Sequence, residues 1–350
     1  MKSFALVVVF LLSVTVDTQE DILPWIEGGL DWSSDGEYIA VGTTAGVYIH
    51  AGDDLSIVGV LDETFDVRNL AWSNTDTRIA YNDFTGDRVA IWDLATRERT
   101  EIETVGWIGD VEWSPTDKNI AATGGHGGFI SIWDVETGAE RNSISLTQFA
   151  PIGTPLMTWS PDGRYIAFGA ISNGFVIFNA YTGHIFDFMW HKGIHNPLRW
   201  SPDGNLLAAR GEQLKIWEIN QIYHPHDSVD AFIGDVVYER ADGGSPSWHP
   251  DSTKIAFVDT VWSKEDPYDF TGSHAEIWDL ASNTNVELPG GVFIAFAYNI
   301  YDAIAWSHDG SKLASISSDG RIVMWDARTY KIVAEHKGYP SLVDLYAENH

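Results

Sequence analysis

The stretch TWSPDGRYIAFGA, residues 158–170, returns 41 residues later as RWSPDGNLLAARG, residues 199–211. In both, a tryptophan precedes a Ser-Pro-Asp-Gly turn and a short apolar run follows it. Proline presets one turn dihedral, aspartate hydrogen-bonds nearby backbone, and glycine supplies a left-handed position. The apolar run reads as a buried strand bounded by turn signals. Self-similarity at a period of about 20 to 50 residues marks a repeat architecture, so the rest of the chain has to be read against this phrase.

The tryptophan recurs as Trp32, Trp72, Trp113, Trp159, Trp200, Trp248 and Trp306, at spacings of 40, 41, 46, 41, 48 and 58 residues. Each turn is followed by a segment such as YIAVG, RIAYN, LLAAR or KLASI, then by a second phrase: VYIH, VAIWD, ISIWD, VIFN, LKIWE, AEIWD or IVMWD. Each unit therefore holds four strands, one ending in the anchor tryptophan and the third ending in Trp-Asp or its equivalent. Trp92, Trp133, Trp217, Trp278 and Trp325 occupy that second anchor position.

Ile-Trp-Asp endings at this period, best seen in SSDGRIVMWD at 317–326, resemble the WD-repeat β-propeller family over residues 25–338. The resemblance implies an all-β fold, a seven-bladed β-propeller of four-stranded antiparallel blades. The chain departs from the family pattern in lacking the Gly-His pair before the inner strands and in keeping the turn aspartate only as Asp319. The His-Ser-Asp-Trp network of the family is therefore expected to be mostly absent, leaving blade cohesion to aromatic packing. PLMTWSPDGRYIAF and PSWHPDSTKIAF also resemble the propellers of Tol-associated periplasmic proteins.

Composition narrows the function. With 350 residues and 44% hydrophobic content the chain can bury a large core. The absence of cysteine excludes disulfides, thiolate metal sites, cysteine nucleophiles and a lipoprotein anchor. Fifty acidic residues against 21 basic ones give a net charge of −29, a field that repels nucleic acid phosphates. It suits a self-repelling soluble surface in an extracytoplasmic medium, or a cationic partner.

MKSFALVVVFLLSVTVDT at 1–18 has one early lysine and an apolar run from Ser3 to Val16, the length of a secretory signal core and short for a membrane span. The reading is a signal peptide at 1–18, a propeller at 19–338 and a tail or closing strand at 339–350. The alternative is an uncleaved anchor. Either places the propeller outside the cytoplasm, with no transmembrane span in the mature chain.

The irregular blades carry the functional expectation. Blade 6 has an insertion, TVWSKEDPYDFTGS at 260–273, and a long connection at 220–246 precedes it. Both are expected on one face, conventionally the top, where second-to-third-strand loops and interblade connections emerge. Four tryptophans have no repeat position: Trp25, Trp107, Trp190 and Trp262. The insertion adds Tyr268 and Phe270, and the histidines His126 and His191 map to the same face. Together these eight residues are the expected partner-binding surface, since tryptophan offers a large rigid face with one polar handle.

Catalytic signals are missing. No Gly-x-Ser-x-Gly elbow, His-Glu-x-x-His motif or phosphate loop occurs. His224-Pro225-His226-Asp227 has metal-binding side chains without visible support, so no metal is expected. The expectation is a monomeric, non-catalytic, cofactor-free scaffold for a protein or peptide. The alternative is an exported propeller hydrolase or lyase with a funnel site drawing on Asp83, His126 and Asp319.

Overall fold

A computed structural model describes residues 26–339 except 62–66, 76, 84–87, 105–107, 116–118, 125–128, 146–155, 171–173, 191–193, 212, 224–228, 241–243, 263–269, 291–302 and 318–319. The described strands form seven four-stranded sheets, each with strands paired in chain order and antiparallel. Blade 1 is β1 (Ile26–Trp32), β2 (Tyr38–Thr43), β3 (Gly46–Ala51) and β4 (Ile57–Leu61). Blade 2 is β5 (Val67–Trp72), β6 (Arg78–Asp83), β7 (Arg88–Asp93) and β8 (Glu98–Glu103). Blade 3 is β9 (Ile108–Trp113), β10 (Asn119–Gly124), β11 (Phe129–Asp134) and β12 (Ala139–Ser145). Blade 4 is β13 (Met157–Trp159), β14 (Tyr165–Ala170), β15 (Gly174–Asn179) and β16 (Ile185–Trp190). Blade 5 is β17 (Ile194–Trp200), β18 (Leu206–Gly211), β19 (Leu214–Tyr223) and β20 (Val229–Arg240). Blade 6 is β21 (Ser247–Trp248), β22 (Lys254–Trp262), β23 (Phe270–Asp279) and β24 (Thr284–Glu287). Blade 7 is β25 (Ile304–Trp306), β26 (Lys312–Ile316), β27 (Arg321–Asp326) and β28 (Ile332–Lys337).

The repeated phrase is a hydrogen-bonded turn. Ser160 Oγ donates to Asp162 Oδ1 at 2.6 Å and accepts from the Tyr165 N–H at 2.9 Å, while Asp162 accepts from the Arg164 N–H at 3.0 Å. Ser33, Ser201 and Ser307 make the same serine-aspartate bond with Asp35, Asp203 and Asp309. Gly163 sits at φ 69° and Gly204 at 75°, where a side chain would be strained. Blade 6 carries Ser252 there at φ 63°.

The Trp-Asp aspartate caps the next turn. Asp93, Asp134, Asp279 and Asp326 each accept the backbone N–H three residues on, and Asn179 does the same at Thr182. This is the local side-chain bonding that favours Asp and Asn in turns. The Arg141 guanidinium first, then the Thr137 N–H and hydroxyl, hold the pKa of Asp134 down at about 2.

The seven-bladed expectation needs correction as a description of packing: the sheets number seven, but the buried apolar clusters number six among the described residues. Five clusters each fill one interface between consecutive blades, from blades 1 and 2 through blades 5 and 6. The sixth runs without a break from Val258 and Ile277 of blade 6 through blade 7 to Trp32 and Tyr48 of blade 1. Small residues on or beside the strands of blade 7, Ala303, Ala305 and Ala314, lie within this continuous apolar contact. The ring closes by packing, because all four strands of blade 1 come from the beginning of the described chain and all four of blade 7 from its end.

Two enlargements expected on one face lie at opposite ends of their blades. Residues 220–240 are mostly an extension of the β19–β20 hairpin, pairing Tyr223 with Val229 beyond the Trp-Asp end of blade 5. The β22–β23 hairpin extends the other way, pairing Trp262 with Phe270. Two antiparallel runs long enough to stay paired become ribbon rather than loop.

Candidate functional site

The anchor tryptophans end the inner strands and converge on the axis. Trp32, Trp72, Trp113, Trp200, Trp248 and Trp306 line a central cavity of about 420 Å³ together with Asp31, Asp110, Glu112 and Arg199. Three indole N–H groups tie a blade to its predecessor: Trp32 to the Ala305 carbonyl at 3.1 Å, Trp113 to Ala71 at 2.9 Å and Trp248 to Arg199 at 3.0 Å. Asp31 accepts the N–H groups of Trp32 and Trp72 at 2.9 and 2.8 Å. Asp110 accepts those of Val111 and Met157, both at 2.9 Å. Glu112 faces Arg199 across the axis at 3.7 Å. Asp31 and Asp110 thus tie blade to blade through backbone N–H groups.

A second cluster lies on blade 6. Asp259 of β22 is the register partner of His274 of β23, and Phe257 is the partner of Glu276. Period-two alternation puts Asp259, His274 and Glu276 on one face. One ligating atom from each lies within 4.8 Å of the others. Glu276 is buried; its Oε1 lies 2.8 Å from His274 Nε2 and its Oε2 accepts from Arg240 Nη2 at 2.6 Å. Arg240, at the end of β20, also stacks over the Phe257 ring at 4.8 Å. No local sequence motif marks this trio, and none of its members was among the expected site residues. The visible signal is Glu276 in SHAEIWD, where VAIWD and ISIWD carry alanine and serine.

Of the expected partner-binding residues, Trp25, Trp107, His126, His191 and Tyr268 lie outside the described residues. Trp190 ends β16, Trp262 ends β22 and Phe270 begins β23, all at the end of their blades away from the Trp-Asp turns. The His224–Asp227 cluster and the funnel residue Asp319 also lie outside the described residues. Asp83 ends β6. Among the anchors, Trp32, Trp72, Trp113, Trp159, Trp200, Trp248, Trp306, Trp133, Trp217, Trp278 and Trp325 are buried. Trp92 is partly exposed.

The family of the WD domain, G-beta repeat, matches residues 100–134 and 299–326, each match ending on a Trp-Asp strand. The β-propeller domain of Cps50 (Swd1) from Myceliophteria thermophila is 15% identical with a TM-score of 0.68, over 89% of this chain and 96% of that one. The chain folds as a β-propeller that carries two matches to the WD repeat. Hydrazine synthase from Kuenenia stuttgartiensis is 14% identical with a TM-score of 0.61, over 88% of this propeller and 96% of that chain. At such identities the likeness concerns the fold alone. No curated protein matches the chain. WD-repeat propellers are in general protein-binding modules, and among the described residues no helix is long and apolar enough to cross a membrane.

Proposed function

We propose that this propeller is an exported, non-catalytic interaction module that binds a positively charged protein or peptide at the end of the ring carrying the blade 6 ribbon. The observation behind this reading is the β22–β23 extension, a paired ribbon ending in Trp262 and Phe270 on an otherwise regular scaffold. A net charge of −29 supplies long-range attraction for a cation-rich partner and repels nucleic acid. The apolar run at 3–16 supports export. The central carboxylates, bonded to backbone N–H groups, speak for a scaffold over a funnel hydrolase.

The test compares Trp262→Ala with Trp159→Ala in thermal unfolding and in capture of partners from the extracytoplasmic fraction. Trp262→Ala should keep the parent melting temperature and lose the partner at a cost of about 2 kcal/mol, roughly thirtyfold. Trp159→Ala, at a buried anchor, should unfold at lower temperature. Retained capture by Trp262→Ala would move the partner elsewhere on the ring.

A further inference from the structure

We infer that Asp259, His274 and Glu276 form a binding site for a first-row divalent cation of the zinc class. The donor atoms already lie within 4.8 Å of one another, and small movements bring them around one ion. Neighbouring strands in fixed register hold all three, which is firmer support than a loop provides. The two oxygens of Glu276 have separate work: Arg240 holds Oε2, and Oε1 faces His274. An outer group that fixes a ligating carboxylate in this way is a common part of metal centres.

Charge gives an independent reason. Glu287 of β24 is the register partner of Glu276, so two carboxylates stand directly opposite on adjacent strands, with Asp259 on the same face. Like charges so placed repel, and the burial of Glu276 raises the cost. Arg240 offsets the charge of Glu276 through Oε2, and a divalent cation beside Oε1 would bring further positive charge to this face. The imidazole nitrogen favours zinc-class ions over magnesium or calcium, which prefer all-oxygen sites. Three protein ligands leave a coordination position open to water or a partner side chain.

The place matters. β24 pairs with β23 only from Glu276 to Asp279, so Asp259 and His274 stand where the β22–β23 ribbon leaves its four-stranded blade. A two-stranded ribbon alone is marginal in water, and an ion here would pin its base. The inference stands whether or not a protein partner binds the ribbon.

The experiment strips the full chain with a chelator, then titrates it with zinc by calorimetry and with cobalt by visible absorption. One saturating equivalent with a cobalt spectrum of mixed nitrogen and oxygen ligation is expected. His274→Gln and Asp259→Asn, checked for folding by circular dichroism, should each weaken zinc by at least about a hundredfold, and Arg240→Gln by about ten- to a hundredfold. The exposed His184→Ala should leave binding unchanged. The inference is overturned if the parent shows no saturating cobalt site, if folded His274→Gln binds zinc as the parent does, or if His184→Ala loses as much. The parent cobalt titration decides even where a variant fails to fold.

Discussion

His50 makes the ring's closing seam sensitive to acid. It stands in β3 at the register position that other blades give to the tryptophan of the Trp-Asp pair, is fully buried, and lies 2.9 Å from the Leu55 carbonyl through Nδ1 and 3.3 Å from the Tyr339 hydroxyl through Nε2. The His336 ring of blade 7 is 4.9 Å away, and Tyr339 also packs on Tyr48 at 4.5 Å. Burial pushes His50 from 6.5 down to about 4, against the pull of the Leu55 carbonyl and with help from His336. The unfolded chain thus takes up a proton between those values that the folded chain refuses. Stability is complete above about pH 6.5 and is lost as pH falls toward 4. Moving from near pH 7.5 to about pH 4.5 costs about 2.5 kcal/mol from this group, a large part of a margin of about 5 to 15 kcal/mol. Burial lowers His336 as well, which adds in the same direction. Denaturant unfolding of the parent and of His50→Gln across that range reads the effect, because the change in surface charge is common to both. A flatter slope in His50→Gln is expected. Equal slopes would refute the argument and move the acid sensitivity to other groups.

Other expectations are local. Trp32→Phe removes the N–H that reaches Ala305 across the seam, and should cost about 1 to 3 kcal/mol in denaturant unfolding without changing the fold by circular dichroism. Asp31→Ala leaves the Trp72 N–H without its acceptor and should cost a similar amount, about 1 to 3 kcal/mol, by the same measurement. Gly244→Ala would drive a methyl group into the Val258 carbonyl oxygen, so a lowered melting temperature is expected. Above about pH 10 the buried Tyr339, whose ionisation burial holds well above its usual value, should make the seam lose stability as pH rises; Tyr339→Phe should abolish that loss in alkaline denaturant titrations.

The repeat and strand order were legible because the signals are local. A tryptophan, a serine-aspartate turn and an apolar run recur within one unit, and each turn is satisfied by its own side chains. Residues 220–246 were misplaced for the opposite reason. NQIYHPHDSVDAFIGDVVYER carries the turn residues of a loop, and only the pairing of Ile222 with Asp230 and Tyr223 with Val229 reveals an extended hairpin directed away from the blade 6 ribbon. The Asp259–His274–Glu276 trio was invisible for the same cause, since its members meet by cross-strand register.

The missing histidine network has a counterpart between blades. In place of bonds within one blade, the described inner strands, and β6 beside one of them, trade bonds with neighbouring blades: Asp31 reaches blade 2, Asn69 and Asn82 of β6 reach the carbonyls of Gly109 and Ile108 in blade 3, and Asp110 reaches blade 4. Trp248 returns from blade 6 to blade 5, and Trp32 joins blade 1 to blade 7. Such bonds form only when adjacent blades are docked, so they reward the assembled ring over isolated repeats. Aromatic packing then has company in holding the disc together, contrary to the expectation that it acts nearly alone. The Trp-Asp aspartates are freed for capping turns, which explains why asparagine serves as well at position 179.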